Sequence, residues 1–364
     1  MSAESTFSPP PAPPLRLVFW ESTAECNLSC AHCRRTGVAQ ELSRWNLSTG
    51  EMAAVIDDLG RTYPRTLLVF SGGEPLLRAD LFALARRARA VGLLAAMATN
   101  GTLVTPELAE RIAATGFSRV SVSLDGTGRE THDALRRAEG SFDQALRGLR
   151  LLRDAGQAVQ INMSVTRRNA GEIEAMFRLA EAERAAALHI FIVVPVGCGA
   201  ELGESERLSP AEYEQFLRTF HRLSAEATID TKATCAPQYA RITRESAGHE
   251  GSRDAPDHSA DRPGESAQRP AGCLAGSGVC FVGHRGEVYP CGYLPVRCGN
   301  VREMPLSEIW RTSAVFARLR QPELLLGKCG ECDHRSICCG CRARAFAATG
   351  DYLAAEPDCL YQPK

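Results

Sequence analysis

The 364-residue chain carries 15 cysteines, and their spacing is the first chemical signal. Three stand together as Cys26-Asn-Leu-Ser-Cys30-Ala-His-Cys33. Thiolates at this spacing can wrap one small metal centre. A structural zinc site wants four ligands, usually as paired C-x2-C knuckles. A cubane cluster held by three thiolates instead leaves one iron open, and an open position is where a substrate or cofactor binds. A second group lies near the C-terminus: Cys273-x6-Cys280-x10-Cys291, then Cys329-x2-Cys332-x5-Cys338-x2-Cys341, then Cys359. These are enough for two four-cysteine centres, with a zinc ribbon as the competing reading. Cys198, Cys235, Cys298 and Cys339 are left over. Unassigned cysteines are mostly small buried hydrophobes. Cys198, in Val194-Pro-Val-Gly-Cys-Gly199, and Cys235, in Lys232-Ala-Thr-Cys-Ala-Pro237, are the two candidates to line a substrate cavity.

A frame must hold these groups. Apolar runs predict strands at Leu15–Trp20, Thr66–Phe70, Leu93–Ala98, Arg119–Leu124, Val159–Val165 and His189–Val194. Helical periodicity falls between most of them, and Ser48 with Glu51 has capping-box spacing for a helix from Thr49. Continuous apolar strands suit a parallel sheet buried on both faces. The expected fold is α/β, a six-unit parallel (β/α)6 partial barrel, open because eight units would close it. In such folds the chemistry gathers at the C-terminal ends of the strands. Several motifs fall there: Ser71-Gly72-Gly73-Glu74-Pro75, Thr99-Asn100-Gly101-Thr102, and Ser123-Leu124-Asp125-Gly126 followed by Arg136. Asn162 and Ser164, two apart on one strand, share a face.

Length predicts about two domains at ~150 residues each. The sequence divides into a disordered leader at 1–14, the barrel at 15–200, a helical connection at 201–243, a polar flexible linker at 244–272 and a cysteine-dense segment at 273–364. A net charge of −1 from 42 basic and 43 acidic groups creates no field that draws nucleic acid. No apolar run is long enough for a membrane span. The N-terminus has no secretory-signal pattern, so a cytoplasmic, reducing setting is expected, where many cysteines point to metal rather than disulfides. Arginine outnumbers lysine 39 to 3, which a GC-rich genome explains without function.

The Cys26-x3-Cys30-x2-Cys33 motif, with polar and glycine motifs after successive strands, resembles the radical S-adenosylmethionine (SAM) enzymes over about residues 15–195. The resemblance implies a [4Fe-4S] cluster on Cys26, Cys30 and Cys33, with SAM on its open iron. It implies a SAM pocket at Gly72, Gly73, Glu74, Thr99, Asn100, Ser123, Asp125 and Arg136. Reductive cleavage of SAM would yield a 5′-deoxyadenosyl radical that takes a hydrogen atom from substrate. The C-terminal cysteines, with Gly286, look like a SPASM auxiliary-cluster domain. By that analogy one cluster takes Cys273, Cys280, Cys291 and Cys341, and the other Cys329, Cys332, Cys338 and Cys359. The two-residue gap from Cys338 to Cys341 and the neighbouring Cys339 depart from the usual pattern, so one or two auxiliary iron–sulfur clusters remain open.

Several stretches resemble a particular branch, the heme synthases of the siroheme-dependent pathway. They include Phe19-Trp-Glu-Ser-Thr23, Cys33-Arg34-Arg35, Lys232-Ala-Thr-Cys-Ala-Pro-Gln-Tyr239 and Val288-Tyr-Pro-Cys-Gly-Tyr-Leu-Pro295. The implied substrate is an iron tetrapyrrole, iron-coproporphyrin III, whose two propionates become vinyls. An electron donor such as flavodoxin or ferredoxin is implied too. Arginine forks match carboxylates, and Arg34 and Arg35 beside the cluster are the expected propionate ligands, against a plain loop-packing role. The alternatives are a peptide-modifying SPASM maturase, a related tetrapyrrole enzyme, or a non-catalytic iron–sulfur carrier, which would need no SAM pocket.

Overall fold

The computed structural model describes residues 12–35, 40–249 and 272–363. Strands and helices alternate from the start: β1 (Leu17–Glu21), α1 (Thr49–Thr62), β2 (Leu67–Ser71), α2 (Leu81–Ala90), β3 (Leu94–Thr99), α3 (Pro106–Thr115) and β4 (Arg119–Ser123). Then come α4 (Arg129–Arg136), α5 (Ser141–Asp154), β5 (Val159–Val165), α6 (Ile173–Ala182), β6 (Ala187–Ile192), α7 (Pro210–Glu226), β7 (Asp230–Thr234) and α8 (Tyr239–His249). β1 to β7 lie side by side in chain order, all parallel. The six expected strands are therefore present in their expected order. β2 is buried along its centre, which is why it reads as an apolar run. At the head of α1, Ser48 accepts the Glu51 N–H while the Glu51 carboxylate accepts the Ser48 N–H, the predicted capping box.

Two elements went unpredicted, for the same reason. β7 lies inside the stretch 201–243 that was expected to be only a helical connection. Its sequence, Asp-Thr-Lys-Ala-Thr, is polar and no residue in it is fully buried. It is an edge strand, and edges carry charge rather than an apolar stripe. α4 has one buried apolar side chain, Leu135, so it offers no helical period.

The cysteine-rich segment adds β8 (Val279–Val282), β9 (Glu287–Tyr289) and β10 (Gly299–Asn300), then α9 (Leu306–Thr312), α10 (Ala314–Leu319), α11 (Gly327–Glu331) and α12 (Arg342–Thr349). β8 pairs parallel with β1, and β9 turns back antiparallel on β8. One ten-stranded sheet results, ordered β10-β9-β8-β1 and on to β7. Leu306, Ile309, Trp310 and Phe316 join the same buried core as Trp20, Phe70 and Met97. The register Val282 opposite Trp20 puts the end of β8 beside the end of β1, at the end of the sheet where chemistry is expected.

Most of the expected leader and linker falls outside the described residues. Residues 1–11 lie outside the described residues, but Ala12 packs on the core and the Pro13 carbonyl accepts the Trp310 indole N–H at 2.7 Å. Residues 244–249 continue α8, and 250–271 lie outside the described residues. Among the described residues no helix is long and apolar enough to cross a membrane.

Candidate active site

The loop bearing Cys26, Cys30 and Cys33 leaves the C-terminal end of β1 and is tied down on several sides. Gly73 N–H donates to Thr23 O and Glu74 N–H to Glu25 O, each at 2.8 Å. Ala31 N–H donates to Leu135 O at 2.8 Å, and Asn100 Nδ2 donates to Asn27 Oδ1 at 2.8 Å. Two sulfurs accept hydrogen bonds, Cys26 from Leu28 N–H at 3.4 Å and Cys30 from Arg136 Nη1 at 3.6 Å. Burial pushes the free Cys26 thiol up to about 11 and raises Cys30 as well. Ligation would deprotonate them. Soft thiolates with N–H donors on sulfur, and no fourth cysteine in the loop, fit an iron–sulfur cluster with one open iron.

The structure divides the expected SAM-pocket residues into two kinds. Gly72 and Gly73 approach the cysteine loop so closely that a Cβ on Gly73 would stand 1.9 Å from Glu25 O. The N–H groups of Gly73 and Glu74 are already engaged, so they are not the free donors the glycines suggested. The Gly72 and Gly73 carbonyls accept nothing among the described residues, which suits a ligand that donates, such as an ammonium. Ser123 also makes no side-chain hydrogen bond among the described residues, and Asn162 sits opposite it on β5.

The others hold each other. Glu74 is fully buried and accepts Thr99 Oγ1 at 2.7 Å, Asn100 N–H at 2.8 Å and Leu76 N–H at 3.2 Å. Burial raises its carboxyl to about 7 against those bonds. Asp125 Oδ2 lies 2.8 Å from Arg136 Nη2 and 3.2 Å from His32 Nε2, and Oδ1 accepts Ser164 N–H at 2.8 Å. These side chains join the ends of β2 to β5 beneath the pocket rather than lining it alone.

Gly73→Ala is expected to fold but to cleave SAM at least ~10²-fold more slowly. The Glu25 backbone must give way, and the loop that begins at Cys26 moves with it. Counting 5′-deoxyadenosine per cluster tests this; a wild-type rate would show that the close approach is dispensable.

The C-terminal cysteines form two sets. Cys235 and Cys291 pack on a buried group of Val194, Leu294, Cys341 and Ala343. The Cys235 carbonyl accepts Arg344 Nη2 at 2.7 Å, and Arg344 pairs with Glu356, which accepts the Cys341 N–H at 2.6 Å. Burial and the neighbouring thiols of Cys341, Cys291 and Cys273 all raise the Cys235 thiol. Cys280 is elsewhere. It lies on β8 with no exposure, in the main core opposite Val18, with Cys298 as the neighbouring thiol. The analogy joined Cys280 to Cys273, Cys291 and Cys341, but in the structure it is Cys235 that neighbours those three thiols. Cys329, Cys332, Cys338 and Cys359 line one cavity. Cys339 reaches it too, but its thiol donates to Arg335 O at 3.1 Å. Cys329 Sγ accepts Glu356 N–H at 3.3 Å and Cys332 Sγ accepts His334 N–H at 3.4 Å. Among the described residues no three donors converge tightly enough for a single ion.

A profile described as the radical SAM superfamily matches residues 20–180, and one described as an iron–sulfur cluster-binding domain, SPASM, matches 273–333. The AdoMet-dependent heme synthase of Methanosarcina barkeri is 47% identical, covering 96% of this chain and 97% of its own. The chain belongs to the radical SAM superfamily. The AdoMet-dependent heme synthase of Nitratidesulfovibrio vulgaris is 44% identical, covering 97% of this chain and 94% of its own. The fold is shared with Streptococcus suis SuiB bound to its precursor peptide, at TM-score 0.73 and 15% identity, over 96% of this chain and 76% of that one. As a radical SAM enzyme with a SPASM domain, the protein uses SAM with an iron–sulfur cluster and carries auxiliary iron–sulfur binding.

In this radical SAM enzyme the residues named for substrate are differently occupied. Cys198 donates its S–H to Arg35 O at 2.9 Å, and its N–H bonds the same oxygen, so it staples the loop after β6 to the cysteine loop. Cys235 belongs to the thiol set above. Arg34 Nη2 and Arg35 Nη1 both meet Glu21 Oε1, at 2.7 and 3.1 Å, and Arg34 stacks on Phe281 at 4.3 Å. Burial raises the Glu21 carboxyl, but Arg34, His284 and Arg35 outweigh it and hold Glu21 well below the usual carboxylate range. Glu21 thus fixes where both guanidiniums point. Sequence reasoning missed Glu21 and His284. Glu21 lies in the Phe19–Thr23 stretch, where no role was read for it, and His284 comes from a turn that only the β8–β1 pairing brings near.

Proposed function

We propose that this chain is an AdoMet-dependent heme synthase, converting iron-coproporphyrin III to heme b by oxidative decarboxylation of two propionates to vinyls. The observation that carries this is the similarity along nearly the whole of both chains to the Methanosarcina barkeri enzyme of that name. The Arg34–Arg35 pair supports it, because planar guanidiniums bind carboxylates bidentately. When bound, SAM and the clusters supply a 5′-deoxyadenosyl radical and an acceptor for the surplus electron. The protein's own work is positional. Cys26, Cys30 and Cys33 hold the SAM-binding cluster, with Gly72 and Gly73 carbonyls facing the methionine ammonium. Glu74, Thr99, Asn100, Asp125 and Arg136 keep that loop in place. Arg34 and Arg35 orient a propionate so that hydrogen leaves its β carbon; the carboxyl then departs as CO2 and an alkene remains. Cys235, Cys273, Cys291 and Cys341 hold one auxiliary cluster, and Cys329, Cys332, Cys338 and Cys359 the other. A flavodoxin or ferredoxin reduces the enzyme in the cytoplasm.

The test is anaerobic turnover with reconstituted protein, SAM, reductant and iron-coproporphyrin III, following tetrapyrrole mass and 5′-deoxyadenosine. Stepwise loss of two CO2, each with two hydrogens (the one abstracted and the carboxyl proton), supports the reading. Deoxyadenosine formed beside an unchanged porphyrin would overturn it.

A further inference from the structure

His284 lies two residues beyond β8, in the turn to β9. Because β8 runs parallel to β1, this turn sits beside Glu21 at the end of β1. Glu21 Oε2 is 2.5 Å from His284 Nδ1 and accepts the His284 backbone N–H at 3.2 Å. Glu21 is held ionised by Arg34 and Arg35, so it can only accept. A neutral His284 imidazole therefore places its one N–H on Nδ1 and its lone pair on Nε2. That Nε2 is buried and has no hydrogen-bond partner among the described residues.

A basic ring nitrogen with its other nitrogen gripped by a carboxylate is how proteins orient a metal-ligating histidine. Yet among the described residues no other donors gather with His284 around an ion. The metal must then bring its remaining ligands with it. A metal complex with an open axial position is the class that fits, and the surroundings fit a tetrapyrrole. The guanidiniums of Arg34 and Arg35 on the same Glu21 have the planar geometry that matches a tetrapyrrole's carboxylates.

We propose that His284 Nε2 is an axial ligand to the iron of the tetrapyrrole substrate, with Glu21 as the positioning residue that aims His284, Arg34 and Arg35 together. This rests on the heme synthase reading. It makes one buried carboxylate set both where the iron sits and where the propionates point.

The experiment binds ferric iron-coproporphyrin III to cluster-loaded enzyme without SAM, read by visible absorption and by electron paramagnetic resonance of the porphyrin iron. Wild type is expected to show a histidine-ligated iron. His284→Ala is expected to lose that signature and bind at least ~10-fold more weakly, with imidazole restoring the spectrum, while metal-free coproporphyrin III binds both proteins alike. Glu21→Gln keeps the ligand but loses its orientation, and should weaken iron-porphyrin binding by about 10-fold. His284→Met, which keeps a side chain of similar bulk, should give a changed ligand spectrum even if the alanine variant folds poorly. An unchanged iron spectrum in His284→Ala or His284→Met would overturn the ligand alone. Failure of wild type to bind the iron porphyrin at all would overturn the underlying reading and the ligand with it.

Discussion

Replacing Cys235 with alanine is expected to remove about four irons and four sulfides per chain, while Cys280→Ala leaves both counts unchanged. The sequence pattern points to Cys280 and leaves Cys235 to the substrate cavity, but their surroundings differ. Cys235 packs with Cys291 on Cys341, and its carbonyl is locked to Arg344, three residues beyond Cys341. Cys280 is enclosed between the sheet and the helices, in the core that contains Val18 and Trp310. Its loss costs packing, about 1 kcal/mol for the small volume removed. Cys280→Ser would bury a hydroxyl instead and cost ~1–3 kcal/mol unless it finds a partner. Iron and sulfide analysis, with the reduced-cluster resonance of each variant, separates the two. Iron lost in Cys280→Ala but kept in Cys235→Ala would reverse the assignment.

The Arg136→Met variant should lose ~3–5 kcal/mol of stability at neutral pH, because it leaves a buried carboxylate without its cation. Arg136 is 9% exposed at its side chain and Asp125 not at all. The nearby His32 is no substitute, since burial lowers its affinity for a proton. Burial raises the Asp125 carboxyl, but Arg136, then His32, more than offset this and depress it. A depressed carboxyl stabilises the fold above its unfolded value, about 3.9, and that contribution is lost as pH falls through the lower folded value. Without Arg136 the largest of the influences that oppose burial is gone, and His32, His132 and the Ser164 N–H remain. The gap between wild type and variant should therefore narrow as pH falls from 7 toward 4. Asp125→Asn added to Arg136→Met should recover much of the loss. Denaturant midpoints at pH 7 and pH 5 measure this. A loss under about 1 kcal/mol at pH 7 would mean that water or relaxation rehydrates Asp125. The Arg136 contact to Cys30 Sγ also predicts a shifted cluster potential in the same variant.

The sequence by itself determined what depends on neighbours along the chain. Cys26, Cys30 and Cys33 fall within one loop, so their spacing alone makes a ligand set. Cys329, Cys332 and Cys338 are similarly local, and they share one cavity. Strands β1 to β6 announce themselves because both faces are buried and the apolar run is continuous. The tertiary structure decided everything that joins distant segments. Whether Cys235 or Cys280 meets Cys341 depends on how β8 lies against β1, because a strand's register and facing send each side chain to the core or to the site. The same pairing carries His284 to Glu21, across more than 260 residues. Polar elements were illegible for a related reason. β7 and α4 are held by edges, caps and ion pairs rather than by an apolar stripe, so no periodicity records them. Glu74, Asp125 and Arg136 were legible as polar residues at strand ends. That Glu74 takes Thr99 and Asn100 while Asp125 takes Arg136 follows only from the convergence of four parallel strands on one end of the sheet.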